Sequence, residues 1–256
     1  PTLTEAIHIM PNQWDHDNPW IGSYQQLTAF VELEPLRGEN YQKLSRHYRD
    51  VGLNELALEI ADRDYALNPL SPRTITERGL ALQKLRRWDE AIAMFDLANE
   101  LGRTGPNWPR LTVGWAKCED IACFFDNFPG ELMQFRDRFA DIYIEPNNEE
   151  EAQAAIDSAM ALMQEVDLLN WFNGSSCRFE YLTPLFFELF DLFLESEGSL
   201  YWHWPNAWNP ECTNVWADPR FRDLVDEVRF AEYWQHVGEW PTACRPEGDT
   251  YVCGQP

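Results

Sequence analysis

A step of 34 residues recurs through the first part of the chain, and it restricts the fold more than any other feature of the sequence. Related residue types return after each step in four sets: Leu33, Leu67 and Leu101; Pro35 and Pro69; Ser45 and Gly79; Ala57 and Ala91. A fixed period of this length is typical of repeat proteins, in which each unit packs on the next. Apolar residues inside each period recur at helical spacing, so the sequence predicts stacked pairs of helices.

The clearest unit covers residues 72–103 and resembles the tetratricopeptide repeat. Gly79 stands at the small position of its first helix, and the second helix starts at Trp88. The signature positions of the second helix hold Ala91, Phe95 and Ala98. The resemblance implies pairs of antiparallel helices stacked in a right-handed α-solenoid, in which small residues let the two helices of a pair approach closely.

A second unit, residues 38–69, departs from the family pattern at Ala61, where a bulky residue is usual, and at Asp64, where a small one is usual. It keeps the pattern at Tyr41, Leu44, Ser45, Tyr48, Ala57 and Pro69. Weaker traces cover residues 24–34 and the stretch from Trp108 to Trp115. We therefore predict an N-terminal loop over 1–19 and repeats over 20–125. An ordinary pair of helical hairpins is the alternative.

Residues 126–256 are predicted to form a helical extension and a capping tail. Helical spacing marks residues 131–144, 149–170 and 183–195, and Asp218 followed by Pro219 is a typical helix start. Strand signals are few, so the predicted class is all-α with an aromatic-rich loop cap. Whether residues 118–200 continue the array is left open.

The tail carries a second resemblance, over residues 218–244. Its marks are Asp218-Pro219-Arg220-Phe221, Leu224, Tyr233-Trp234, Gly238, Trp240-Pro241 and Cys244. This segment is similar to the one that closes repeat arrays in bacterial signalling proteins, where the array accompanies a winged-helix DNA-binding domain or an adenylate cyclase domain. The resemblance implies a cap on the last exposed repeat face and a further signalling domain. Because the sequence starts at Pro1, we expect a processed chain or a piece of a longer one.

The charge balance limits the kinds of partner. The 256 residues include 43 acids and 20 bases, for a formal net charge of −23. A surface this acidic repels phosphate backbones and anionic lipid, so no nucleic acid and no membrane contact is expected. Thirteen of the bases fall within residues 37–117, beside eleven acids. The predicted repeats are thus nearly neutral between acidic flanks.

Six cysteines bear on the compartment. Cys244 and Cys253 flank a turn-rich stretch, and Cys177 and Cys212 lie in loop-like surroundings. Cys118 and Cys123 are five residues apart, too far to bridge across a regular helix. The even count in loop positions favours disulfides in an oxidising compartment, which is the periplasm for a bacterial protein. Buried free thiols in the cytoplasm are the alternative.

No motif for a catalytic nucleophile, a phosphate or a dinucleotide occurs, and we expect no cofactor and no enzyme activity. Asp15-His16-Asp17 fits either a metal-binding loop or a solvated polar turn. Glu180, beside an apolar run, is an acid to examine as one half of a glycosidase pair. A capping role or an ordinary surface charge is the other reading of that residue.

An aromatic cluster gives the second functional hypothesis. Its members are Tyr201, Trp202, Trp204, Trp208 and Trp216. These rings would serve as a stacking platform in a carbohydrate-active or other helical enzyme, or they would fold onto the core in place of regular packing. The second interpretation is favoured.

The first-helix face gives the main functional hypothesis. In the tetratricopeptide family, first-helix residues line the concave groove. Carried onto the two clear units, those positions are Gln42, Arg46, Arg49, Arg73, Thr76, Gln83 and Lys84. An arginine-rich groove suits a carboxylate, in an acidic peptide or at a chain terminus, whereas a solvated basic face is the alternative. We therefore expect a non-enzymatic sensor or interaction domain that binds a peptide, protein or small ligand; homodimerisation is left open.

Overall fold

The computed structural model describes residues 18–103, 113, 136–143, 145–166, 177, 179–195 and 207–254. This part of the chain is mostly helical, which confirms the predicted class. Its helices are α1 (Pro19–Leu33), α2 (Gly38–Asp50), α3 (Asn54–Leu67), α4 (Pro72–Lys84), α5 (Trp88–Glu100), α6 (Arg136–Tyr143), α7 (Glu149–Val166), α8 (Thr183–Glu195), α9 (Thr213–Ala217), α10 (Pro219–Glu227) and α11 (Phe230–Val237). A 3₁₀ turn at Glu180–Leu182 precedes α8, and strands β1 (Cys244–Glu247) and β2 (Thr250–Cys253) end the described chain.

Helices α2 to α5 form two consecutive hairpins, α2 with α3 and α4 with α5, and α4 also packs on both helices of the first hairpin. The bounds of the two hairpins repeat at a step of 34 residues, to within one residue. The connecting turns match as well, because Gly52 and Arg86 both have a positive φ, of 82° and 57°. The period in the sequence is therefore a period in the backbone.

Close approach of the paired helices depends on small residues, as expected. A Cβ atom added at Gly79 would lie 2.5 Å from Cε1 of Phe95, so no larger residue fits there without movement of that ring. Ser45, the equivalent residue of the first hairpin, donates its hydroxyl to the carbonyl oxygen of Ala57 at 2.8 Å. Ala57 and Ala91 are both fully buried at these contacts.

Helix α1 starts where Asn18 accepts hydrogen bonds from the amides of Trp20 and Ile21. It packs on α2 and on α11, so the two ends of the described chain meet. Trp20 Nε1 donates to the carbonyl oxygen of Val228 at 3.0 Å, and Asn18 donates to that of Arg229. Residues 1–17 lie outside the described residues.

The C-terminal tail, residues 207–254, combines the predicted helix with an unpredicted hairpin. Asp218 caps α10 through the amide of Arg220, as its sequence position indicated. Strands β1 and β2 pair antiparallel, although the sequence suggested only a turn-rich stretch. The hairpin pairs Cys244 with Cys253, and these two residues form a disulfide. A second disulfide joins Cys177 to Cys212.

The resemblance implied a cap on the last exposed repeat face, and the described contacts of the tail lie along one side of the array. The tail covers the turns inside the two hairpins, residues 51–53 and 85–87, which we call the tail edge. Trp208 Nε1 donates to the carbonyl oxygen of Asp50 at 2.8 Å, and Trp234 Nε1 donates to that of Val51 at 2.9 Å. Arg86 reaches the carbonyl oxygen of Pro210 at 2.6 Å. The tail therefore runs along one side of the array and returns to α1.

The other ends of the same helices carry the large apolar side chains that stay exposed in the described part of the chain. They are Leu33, Leu36, Leu67, Leu70 and Leu101, which we call the leucine edge. These residues lie at or beside the turns that enter and leave each hairpin. Since α2 has 13 residues, the two edges are about 20 Å apart.

Helices α6, α7 and α8 pack mainly on one another. Helix α7 packs on α6 and α8, and the hydroxyl of Tyr181 donates to the carbonyl oxygen of Ile142 at 3.0 Å. Helix α8 also packs on α9, through which it reaches the tail. The rings of Phe186, Phe187 and Phe190 belong to the same buried core as the array.

Candidate functional site

Two arginines of α2 share one glutamate of α4. Arg46 Nη2 donates to Glu77 Oε1 and Arg49 Nη2 donates to Glu77 Oε2, both at 3.0 Å. The two ends of this cluster differ in exposure, because the Arg46 side chain is 41% exposed whereas those of Arg49 and Glu77 are only 6% and 7% exposed. The cluster joins the first helices of the two hairpins, and part of the Arg46 side chain lies in solvent.

A second polar network lies deeper on the same face. Gln42 Nε2 donates to Asp64 Oδ2 at 2.9 Å and to Thr74 Oγ1 at 3.1 Å. Asn68 donates to the other oxygen of Asp64 at 3.0 Å. Asp64, which departs from the tetratricopeptide pattern that the sequence resembles, is the acceptor of this network. The buried carboxylate accepts from two amide side chains and links α3 to α2, and Gln42 extends the network to Thr74 of α4.

Asp50 and Lys84 occupy equivalent positions at the ends of α2 and α4, and both are buried. Burial raises the pKa of Asp50 to about 8, while burial and the nearby Arg49 lower the pKa of Lys84 to about 7. Asp50 Oδ1 has no hydrogen-bond partner. Lys84 Nζ donates to Asn209 Oδ1 of the tail. The end of the face is thus closed by the tail and holds two ionisable groups away from water.

These contacts correct the open groove that the sequence predicted. Four of its seven residues are buried and cannot meet an external ligand without movement of the chain: Gln42, Arg49, Gln83 and Lys84. Thr76 is half-buried and donates its hydroxyl to the carbonyl oxygen of Pro72. Arg73 is exposed in the first turn of α4, and Arg46 is half-exposed. The chain itself covers most of the positions that a ligand would contact.

The aromatic cluster is partly described, and that part is core. Trp208 is 2% exposed and Trp216 is 7% exposed, and the indole N–H of Trp216 binds the carbonyl oxygen of Ala207. The Trp208 ring packs against Phe221, Phe230 and Trp234. Neither indole is available to stack on a ligand, as the favoured interpretation holds. Tyr201, Trp202 and Trp204 lie outside the described residues.

The remaining candidates for chemistry gain no support from their surroundings. Glu180 is exposed, and Asp15, His16 and Asp17 lie outside the described residues. A pocket of about 260 Å³ beside α7 is acidic, but Glu151 in its lining accepts the capping bonds of Asn147 and Asn148. In the described ranges, no group of three potential ligands surrounds a metal position. Within the same ranges, no helix has the length and hydropathy to span a bilayer.

Sequence reasoning missed a buried aromatic cluster between α1, α2 and α11. His47 is enclosed by the rings of Trp20, Tyr24, Tyr48 and Tyr233. Burial lowers its pKa to about 3, and its Nε2 and the Tyr233 hydroxyl have no hydrogen-bond partner. No local signal marks this histidine, because Tyr233 is remote in the sequence.

The chain matches no family model, no curated protein and no solved structure. The functional argument therefore depends on the geometry of these residues.

Proposed function

We propose that the chain is a non-enzymatic recognition domain built from tetratricopeptide-like helical hairpins, and that it binds a carboxylate-bearing peptide or protein segment at Arg46. The observation that supports this proposal most is the difference in exposure between two arginines that bind the same glutamate. Arg49 is buried against Glu77, whereas Arg46 meets the same glutamate and keeps 41% of its side chain in solvent. A guanidinium held in place from behind binds a carboxylate with little loss of side-chain entropy.

The surrounding residues favour an anionic group over a cationic one. Arg46 and Arg49 together outweigh Glu77, and Gln42 and Thr74 are already bonded to each other beside them. The binding surface is smaller than the seven-residue groove of the sequence hypothesis. It consists of the solvent side of Arg46 and the half-buried Thr76, which directly precedes Glu77 on α4. A surface of this size suits one acidic side chain or one chain terminus.

Two disulfides indicate an oxidising compartment. We extend the proposal to the bacterial periplasm, where this domain would pass its ligand state to a signalling domain. That extension is supported by the similarity of residues 218–244 to the closing segment of such proteins.

The test is binding of an acidic peptide library, with free and amidated C-termini, by fluorescence anisotropy. We expect Arg46→Ala to weaken the best peptides about tenfold, since charge-assisted hydrogen bonds contribute about 1.5 kcal/mol or more. Arg63→Ala is the matched control, because Arg63 is an exposed arginine on α3 with a glutamate partner of its own.

Equal losses in the two variants would show that binding reflects overall charge and would remove Arg46 from the site. Failure of every acidic peptide to bind would remove the proposed function. Arg49→Ala is not a useful substitute for this test, because it leaves the buried Glu77 with one cation and is expected to lower stability.

A further inference from the structure

His47 fills an aromatic enclosure where α1, α2 and α11 meet, which we call the His47 enclosure. The residue is 4% exposed, and its ring centroid lies 5.2 Å from that of Tyr233 and 6.1 Å from that of Trp20. The rings of Tyr24 and Tyr48 complete the enclosure, at 6.5 and 6.3 Å. Because the walls come from three helices, full hydration of the imidazole requires that at least one of these helices moves.

The described part of the chain provides no negative charge for a protonated His47. Its Nε2 has no hydrogen-bond partner among the described residues. The titratable groups that face the imidazole are Tyr24 on α1, Tyr48 on α2 and Tyr233 on α11, and phenols stay neutral in acid. Beyond them, the exposed His236 of α11 contacts the Tyr24 ring. Burial alone lowers the pKa of His47 to about 3, with no opposing carboxylate in the described ranges.

The cost of burying a charge decides how the His47 enclosure responds to acid. The faces of the four rings attract a cation, but this attraction offsets only part of the free energy needed to take an imidazolium out of water. A hydrated histidine has a pKa of about 6.5. Below that pH, a state in which His47 meets water binds the proton more tightly than the packed state does. The packed state therefore loses stability progressively as the pH falls from about 6.5.

The His47 enclosure also lies where α1 is attached to the C-terminal tail. Trp20 Nε1 donates to the carbonyl oxygen of Val228 at 3.0 Å, and Asn18 Nδ2 donates to that of Arg229 at 3.1 Å. Trp20 is therefore both a wall of the enclosure and a point of attachment for α1. Movement that brings water to His47 on this side also breaks the attachment, so hydration of the imidazole and release of α1 are coupled.

We propose that His47 makes the docking of α1 acid-sensitive: α1 stays packed on α2 and α11 at neutral pH and is released when the imidazole takes up a proton. Helix α1 is the element that moves, because Trp20 and Ile21 are its buried residues and the rest of the helix is half-buried or exposed. Helix α11 is held independently, since Trp234 Nε1 donates to the carbonyl oxygen of Val51 at 2.9 Å. The inference goes beyond the proposed function, because no step of it involves a bound ligand.

The test is amide hydrogen exchange of the full 256-residue chain, followed by mass spectrometry and corrected for the effect of pH on the intrinsic exchange rate. Protection of α1 is expected to fall about a hundredfold between about pH 7.5 and about pH 4.5, since each pH unit below about 6.5 favours the open state up to tenfold. Helix α5, which contributes no ring to the His47 enclosure, reports global unfolding and should lose much less protection.

Substitution of the histidine identifies the group that takes up the proton. His47→Leu keeps an apolar side chain of similar volume and cannot be protonated, so α1 should keep its protection to within about threefold over the same pH range. His47→Gln carries the same expectation with a polar group in place of the imidazole. His236→Gln is the matched control, because it removes an exposed histidine that also contacts Tyr24, and it should keep the full acid response.

A parent chain in which α1 stays protected at about pH 4.5 would overturn the proposal. An acid response that survives in a folded His47 variant would do the same, because another group would then be responsible. Equal losses in α1 and α5 would show global acid unfolding in place of release of one helix. Histidine NMR of the parent chain gives a second measurement that needs no folded variant at position 47. There, the His47 imidazole must take up its proton in step with the loss of α1 protection, and a titration without that loss would contradict the coupling.

Discussion

The two edges of the helical array are opposite ends of the same helices, and they differ in whether the described chain covers them. The tail edge is covered by residues 207–254, whose indole N–H groups bind the carbonyl oxygens of Asp50 and Val51. The leucine edge carries five apolar side chains that the described part of the chain leaves in solvent. Turns of similar length therefore do not decide which side of a repeat array is closed. The decision depends on a segment more than 150 residues away in the sequence.

The two edges also differ in the charged residues beside them, of which two are buried at the tail edge and two are exposed near the leucine edge. At the tail edge, Asp50 and Lys84 are buried, and Lys84 is bonded to Asn209. Near the leucine edge, Glu32 and Arg73 are exposed. A charged residue of the array is thus available to a partner only where no other segment packs over it, and at the tail edge the tail does so. The family pattern alone does not contain this distinction, because it treats both ends as part of one groove.

The largest expected effect on the free energy of unfolding is at the tail edge. Trp208→Ala removes a ring that is 2% exposed, together with its hydrogen bond to Asp50 and its contact with Gly52. We expect a loss of about 3–5 kcal/mol in the free energy of unfolding, since the cavity is lined by rings that cannot all collapse into it. Chemical denaturation followed by circular dichroism measures this loss.

Trp240→Ala is the matched control for that experiment. Trp240 is half-buried and packs its ring on Trp234 and Tyr251 at the outer side of the tail. This substitution is expected to lower the free energy of unfolding by about 1–2 kcal/mol, as for a partly exposed aromatic side chain. Equal losses at the two positions would contradict the view that Trp208 holds the tail onto the array.

Local features of the fold were predictable from the sequence. The predicted units begin at Gly38 and Pro72, where α2 and α4 begin, Trp88 starts α5 as expected, and Asp218 caps α10. These features depend on residues within one or two turns of each other, where side-chain size and capping act directly. The β1–β2 hairpin was missed because its strands have four residues each and show no clear alternation.

The site was less predictable because its partners come from far along the chain. Arg49 is a basic residue at a position that lines the groove in the resembled repeats. Only the position of Glu77 shows that Arg49 forms an internal ion pair. Lys84 depends on Asn209, at a separation of 125 residues. A single sequence contains no signal for such pairs, so basic residues at groove positions were read as available to a ligand.

An intermediate effect on the free energy of unfolding is expected at Asp50, whose carboxyl is buried beside the tail edge. Burial raises the pKa of Asp50 from 3.8 to about 8. Because the folded pKa lies above the unfolded value, the contribution of this group to stability is present below about pH 4 and is lost as the pH rises towards 8. Asp50→Asn keeps the shape and cannot ionise. We expect it to match the parent chain at pH 4 and to exceed its stability by roughly 1–3 kcal/mol at pH 7.

Urea unfolding at half-unit steps from pH 4 to pH 7 tests this expectation. Both chains share the opposite slopes of His47, whose pKa burial lowers to about 3, and of Lys84, whose pKa burial lowers to about 7, so the test is the difference between the two stability curves. Asp62→Asn, at an exposed carboxylate on α3, controls for the loss of one negative charge. Parallel stability curves for Asp50→Asn and the parent chain would mean that Asp50 is hydrated in the folded protein.

The smallest effect is expected at the leucine edge. Leu36→Ala and Leu70→Ala remove side chains that are 82% and 75% exposed, so each should change the free energy of unfolding by less than about 0.5 kcal/mol at micromolar protein. Leu82→Ala, at a fully buried leucine of α4, should lose about 2–5 kcal/mol in the same assay. A loss above about 1 kcal/mol at either exposed position would show that the edge is covered in the single chain. A near-zero effect would show that these side chains stay in solvent in the single chain, in contrast to the buried rings that cover the tail edge.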